Sequence, residues 1–196
     1  LVVEADVGDI TDSGVITATG TSSFTTTQVD ADITLDQVSF FTGAVSLATN
    51  GMDGDISITN VGQTLDLGTV TTTAGGDLVV EADVGDITDS GVSTATGTSS
   101  FTTTLVDVYI TLGEVCDLTD AVSLATNGMD GDISITNVGQ TLDLGTVTTT
   151  AGGDLVVEAD VGDITDSGVI TATGTSSFTT TQVDADITLD QVSFFT

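Results

Sequence analysis

Apolar and polar side chains alternate along this chain in short runs. In Val45-Ser46-Leu47, Ile56-Ser57-Ile58 and Leu65-Asp66-Leu67 the apolar residues stand two apart, and Gly, Asp or Asn closes each run within a few positions. A period of two places alternate side chains on opposite faces of an extended strand, and no run is long enough to argue for an amphipathic helix. The pattern therefore predicts an all-β chain of short strands. One segment recurs as a marker: Gly8-Asp9-Ile10-Thr11, Ala31-Asp32-Ile33-Thr34 and Gly54-Asp55-Ile56-Ser57 follow one another at steps of 23 residues. The reading places a strand before each marker (residues 1–5, 23–27 and 45–49) and another after it (15–19, 38–42 and 65–72), with an outward loop around 60–63.

A longer period lies above this one. The string LVVEADVGDITDSGV begins at Leu1, Leu78 and Leu155, a spacing of 77 residues. The chain thus divides into copy one (1–77), copy two (78–154) and a partial copy three (155–196), expected to form one continuous solenoid with about three coils per copy. Residues 155–196 repeat 1–42 letter for letter, whereas copy two departs from copy one at Ser93 and at nine positions between Leu105 and Asp120. Units too short to bury a face alone become stable by stacking on their neighbours. An antiparallel sandwich would need hairpin turns, and only Asn50-Gly51, Asp53-Gly54 and their copies at Asn127-Gly128 and Asp130-Gly131 supply them. A parallel β-helix instead needs like residues at one coil's spacing. Ile10, Ile33, Ile56, Ile87, Ile110, Ile133, Ile164 and Ile187 are the expected buried ladder.

Composition narrows the function more than it names it. The 196 residues carry 30 acidic side chains and no Lys, Arg or His, for a formal charge of -30. Phosphate recognition lacks its cations and proton transfer near neutral pH lacks its usual group, so nucleic-acid binding and most acid–base or nucleophilic chemistry lose their main instruments, although paired Asp carboxylates leave polysaccharide cleavage as a minor alternative. Of the acids 26 are Asp and 4 are Glu, with 41 Thr and no Pro, which fits turns and β-branched strands rather than helices. A single cysteine forms no internal disulfide, and no apolar run reaches the length of a membrane span. The first residue is Leu and the last copy stops partway through the pattern, which reads as a piece of a longer protein.

A charge of this size on a short rod calls for relief. The marker aspartates form an expected column (Asp9, Asp32, Asp55, Asp86, Asp132, Asp163, Asp186, interrupted at Tyr109) that either gathers divalent cations such as Ca²⁺ or caps turns by accepting backbone N–H groups. The densest candidates for a metal are Asp53 and Asp55 with Asp130 and Asp132, in the turn Asn50-Gly51-Met52-Asp53-Gly54-Asp55 and its copy. No cofactor is required by either reading. Met52 and Met129 beside these turns are read as gap fillers. Differences between copies assign directions: Ile16 becomes Ser93 and Phe40 becomes Asp117, so Ile16 and Phe40, with their equivalents Ile170 and Phe194, are expected to face outward as self-association contacts. Phe41, replaced by Leu118, should face the core.

The recurring Gly-Asp-Ile-Thr followed by a Gly-bounded Val/Thr strand, as in residues 8–20, resembles the passenger regions of filamentous-haemagglutinin-type and autotransporter-type surface proteins. That resemblance implies a right-handed parallel β-helix, bacterial secretion, an extracellular or cell-surface location and a role as fibre, adhesin stalk or matrix. Self-association end to end is the expected partnership. The alternative is an ice- or polysaccharide-binding solenoid that uses the Thr arrays at 25–27, 71–73, 102–104, 148–150 and 179–181.

Overall fold

The computed structural model covers residues 1–196 and contains strands and turns but no helix. Every strand pair is parallel, and the strands lie in two sheets, each with a path of nine strands through the molecule. The chain is therefore a parallel β-helix of about nine coils, as the repeat predicts. Within a strand such as Ile56–Asn60 alternate residues are buried, and the inward side chains join in one cluster of 36 buried apolar residues. Each fully buried aliphatic side chain contributes roughly 1.5 to 3 kcal/mol, and stacking is what buries it. The marker strand and the strand after it fuse into one, Ile33–Phe41 in copy one and Ile110–Leu118 in copy two.

The coil count per copy differs from the expected three. Pairing joins Ile10, Ile33, Ile56, Leu78 and Ser99 in one register, a step of 21 to 23 residues per coil. A 77-residue copy therefore holds three and a half coils, and its successor begins in the opposite sheet. The isoleucine ladder breaks accordingly: Ile56 is followed by Leu78, whereas Ile87 lies in the other sheet between Leu65 and Ile110. Gly76-Asp77-Leu78 occupies the marker's place with Leu for Ile, because the interior asks for an aliphatic side chain of that size and not for isoleucine. Both sheets run through the copy boundaries, Ile56–Asn60 pairing with Leu78–Ala82 and Ile133–Asn137 with Leu155–Ala159.

Two further expectations are corrected. The segment around Asn60 is a tight corner, not an outward loop. Asn60 is wholly buried; its Oδ1 accepts the Phe41 N–H at 2.9 Å, while its Nδ2 donates to the carbonyls of Phe41 at 3.3 Å and Gln63 at 3.0 Å. Second, Ile170 is fully buried and Ile16 packs against the core, so neither is a surface contact; the Ile-to-Ser exchange at Ser93 is an interior substitution. Phe40 faces outward as expected, between the inward Ser39 and Phe41, and is half-buried with its ring against Gly62, where a Cβ would strike the ring. Phe194 holds the same place in copy three and is 54 % exposed. Phe41 faces inward as expected and meets Phe24 edge to face at 5.9 Å.

Candidate functional site: acidic corners and open coils

The aspartates before the inward ladder connect coils to one another. Asp9 accepts the Asp32 N–H at 3.0 Å, Asp32 that of Asp55 at 2.9 Å, Asp55 that of Asp77 at 2.8 Å, and Asp77 that of Thr98 at 2.7 Å. This column contains Asp77 and not Asp86, for the same half-coil reason as the isoleucines. On the opposite edge Asp86 accepts from Tyr109 at 2.9 Å, Asp132 from Asp154 at 2.7 Å and Asp154 from Thr175 at 2.7 Å. A charged acceptor on a backbone donor is a strong hydrogen bond, and here it is made between coils and not within a turn.

Sequence reasoning passed over Asp30 and Asp107. Each stands in the left-handed region, with φ of 56° and 58°, and each carboxylate holds the next coil's corner. Asp30 Oδ1 accepts the amides of Met52 at 2.6 Å and Asp53 at 3.1 Å; Asp107 Oδ1 does so for Met129 at 2.6 Å and Asp130 at 3.2 Å. Gly51, at φ 116°, is held so close over Asp30 that a Cβ would collide with it. The only signal in the sequence was the Val-Asp-(Ala/Val) run one coil before each Asn-Gly-Met. The corner turns Met52 and Met129 outward, 72 % and 73 % exposed, so they fill no interior gap. Among the four metal candidates, Asp55 and Asp132 serve the N–H columns and Asp53 and Asp130 sit on the corner itself. No group of three or more acidic, Cys or His side chains is spaced to enclose a metal ion.

The threonine triplets divide. Thr26, Thr72 and Thr149 turn inward and donate to the carbonyls of Ala31 at 3.0 Å, Gly76 at 2.8 Å and Gly153 at 2.8 Å, while their neighbours face out. Outward threonines stack as Thr25, Ala48, Thr71 and Thr94 on one sheet and as Thr102, Ala125, Thr148 and Thr171 on the other. The hydroxyl columns of successive copies thus lie on opposite faces.

At the two ends the strands pair on one side only. The first coil presents Val2–Ala5, Ile10–Thr11 and Thr17–Ala18; the last presents Ser176–Thr180, Ile187–Thr188 and Phe194–Phe195. Phe178, Leu189 and Phe195 line a hollow of about 480 Å³ in the last coil, with Gly174, Ser176 and Thr196 at its rim.

The family model described as repeats of unknown function (DUF5649) matches residues 1–48, 53–125 and 130–194. The chain belongs to the DUF5649 repeat family. The two internal breaks, at 49–52 and 126–129, fall on the Asn-Gly-Met corners held by Asp30 and Asp107. No curated protein and no solved structure matches the chain. The resemblance to haemagglutinin-type proteins thus holds at the level of the solenoid, and the family shown is DUF5649.

Two features of this DUF5649 solenoid govern its response to its surroundings. Cys116 is fully buried with its Sγ 3.5 Å from Asp89 Oδ2, and burial, with the Asp89 charge, pushes the thiol far up and keeps it protonated. It is an interior residue whose thiolate form is disfavoured. Partial desolvation raises the Asp55 carboxyl, the Asp77 N–H opposes this, and the charges of Asp77, Asp32 and Asp53 reinforce it. Burial and Asp83 raise Glu81 in the same way. A carboxyl whose folded pKa exceeds its unfolded value opposes folding above the folded pKa, and that penalty fades as the pH falls through it toward the unfolded value. Repulsion among 30 carboxylates without one Lys or Arg acts in the same direction. Thermal unfolding followed by circular dichroism at low salt should show the midpoint rising from pH 7 to about pH 4.5. A midpoint that falls over this interval would mean that the N–H columns outweigh the repulsion.

Proposed function

We propose that the chain is a structural repeat module, the length-generating shaft of a secreted bacterial surface fibre, adhesin stalk or matrix protein. The observation that carries this reading is the passage of both sheets through the copy boundaries without interruption, so that another copy adds coils and no new cleft. The composition supports it: a chain without His, Lys or Arg has little to offer catalysis, and identical units do not build a unique pocket. The reading requires no cofactor, since the column aspartates already receive backbone N–H groups; divalent cations enter it as counter-ions. Secretion and extracellular placement rest on the resemblance of the Gly-Asp-Ile-Thr repeats to haemagglutinin-type and autotransporter-type surface proteins. Small-angle scattering provides the test. A chain extended by two copies should lengthen by about 34 Å at constant cross-section, at about 4.8 Å per coil. A proportional growth in all dimensions would overturn the shaft.

A further inference from the structure

We propose that the corner of copy two at residues 105–109 is a docking site for a cationic peptide segment, one that sets aliphatic side chains beside lysine or arginine; the inference rests on this corner's place in the solenoid and not on the shaft reading. Five apolar side chains stand in water there: Val84 on the coil below, Leu105, Val106 and Tyr109 on the corner itself, and Met129 on the coil above, from 39 % exposed at Val84 to 73 % at Met129. The three coils are joined along this edge. Thr104 donates to Asp83 Oδ1 at 3.1 Å and the Tyr109 N–H to Asp86 Oδ1 at 2.9 Å, while Asp107 Oδ1 holds the Met129 N–H at 2.6 Å. The five side chains therefore form one patch about 10 Å tall along the rod.

Copy one breaks this patch, because Gln28 and Asp32 occupy the places of Leu105 and Tyr109. There Gln28 Oε1 accepts the Gly8 N–H at 2.9 Å and Asp32 Oδ1 the Asp55 N–H at 2.9 Å, and in copy three Gln182 repeats the first bond with Gly162 at 2.7 Å. Leu105 and Tyr109 deprive the corresponding amides of Gly85 and Asp132 of these acceptors. Two bonds between coils are thus given up for apolar side chains that the fold leaves in water, and stability alone does not account for that exchange. A contiguous exposed apolar patch marks a contact surface, and Tyr and Met are favoured in such surfaces. The rim decides the partner. Asp83, Asp86, Asp107, Asp130 and Asp132 surround the apolar side chains, and the chain has no Lys, Arg or His to balance them. A second copy of this chain would bring acid against acid, whereas a segment carrying Lys or Arg beside its apolar side chains meets opposite charge on both sides of the patch.

Restoring the copy-one residues tests the site with side chains the solenoid already accepts at this corner. The probe is a labelled extended peptide of about eight residues alternating leucine and lysine, with a peptide alternating serine and lysine as its control. Binding to the 196-residue chain is read by fluorescence anisotropy and calorimetry. The leucine–lysine peptide should bind at one site per chain and lose about tenfold in affinity when Leu105→Gln and Tyr109→Asp are combined, even though the second change adds a carboxylate. The circular dichroism spectrum should stay unchanged. Tyr109, the only tyrosine in a chain without tryptophan, should change its emission on binding. Salt should weaken the peptide on wild type and variant alike and leave the ratio between them standing. Gln28→Leu with Asp32→Tyr should build a second site in copy one and double the stoichiometry. Equal affinity for the two peptides, or for wild type and the copy-two variant, would show diffuse attraction to an acidic rod and overturn the proposal, as would an unchanged stoichiometry in the copy-one variant. Binding to vesicles of neutral phosphatidylcholine that the copy-two variant abolishes, with no preference between the peptides, would assign the patch to a membrane surface and overturn the peptide partner.

Discussion

Replacing Asn60 with alanine should lower stability by about 2 to 4 kcal/mol, because it strands a buried backbone donor and leaves two carbonyls without their partner. The Phe41 amide lies in the interior with only Oδ1 of Asn60 to receive it, and the carbonyls of Phe41 and Gln63 share Nδ2. Asn137 repeats the arrangement with Leu118 at 2.9 and 3.3 Å and with Gln140 at 3.2 Å. Asn137→Ala should therefore cost a similar amount. Asn60→Asp is the sharper test. It keeps the acceptor but loses both donors and buries a charge among carbonyls, so at neutral pH it should destabilise at least as much as alanine and recover in part on acidification. Urea unfolding, with hydrogen exchange at the Phe41 amide, measures both. An unshifted midpoint with full protection at Phe41 would show that the corner holds without its amide clamp.

Ser93→Ile should act in the opposite sense, raising stability by about 1 to 3 kcal/mol. Ser93 is fully buried and its hydroxyl has no partner, whereas Ile170 fills the equivalent place in copy three over Val147 just as Ser93 lies over Val70. Above it, Cys116 replaces Ser193, and Leu118 stands where copies one and three have phenylalanine. The interior at this level has lost volume at two positions and regained some at the thiol. If Cys116 has already taken the space, the single variant gains little, and Ser93→Ile with Cys116→Ser recovers the difference. A double variant no more stable than the native chain would show that the layer has collapsed around the serine.

The stacking of coils was legible because Gly8, Ala31 and Gly54 open three near-identical markers at one spacing, and identical spacing means identical position in a solenoid. The phase was not. Following isoleucine by eye leads from Ile56 to Ile87 and skips Leu78, yet burial treats leucine and isoleucine alike. The half-coil unit is visible only once Gly85-Asp86-Ile87 and Gly8-Asp9-Ile10 are recognised as the same letters on opposite sheets. Directions inferred from copy differences failed at Ile16 for a related reason. Polar-for-apolar exchange is read as a surface event, but copy two tolerates a buried serine at the cost of an unpaired hydroxyl. The corner carboxylates of Asp30 and Asp107 were hidden because their partners lie one full coil away in sequence.

The half-integral number of coils makes copy number a matter of parity. Inserting or deleting one 77-residue unit would rotate everything after it by half a revolution about the rod, so that Met52-type corners point to the other side, while gaining or losing a pair would restore the original aspect. An array that expands and contracts by single units therefore switches between two presentations of whatever it carries, and changes its reach by about 17 Å at each step.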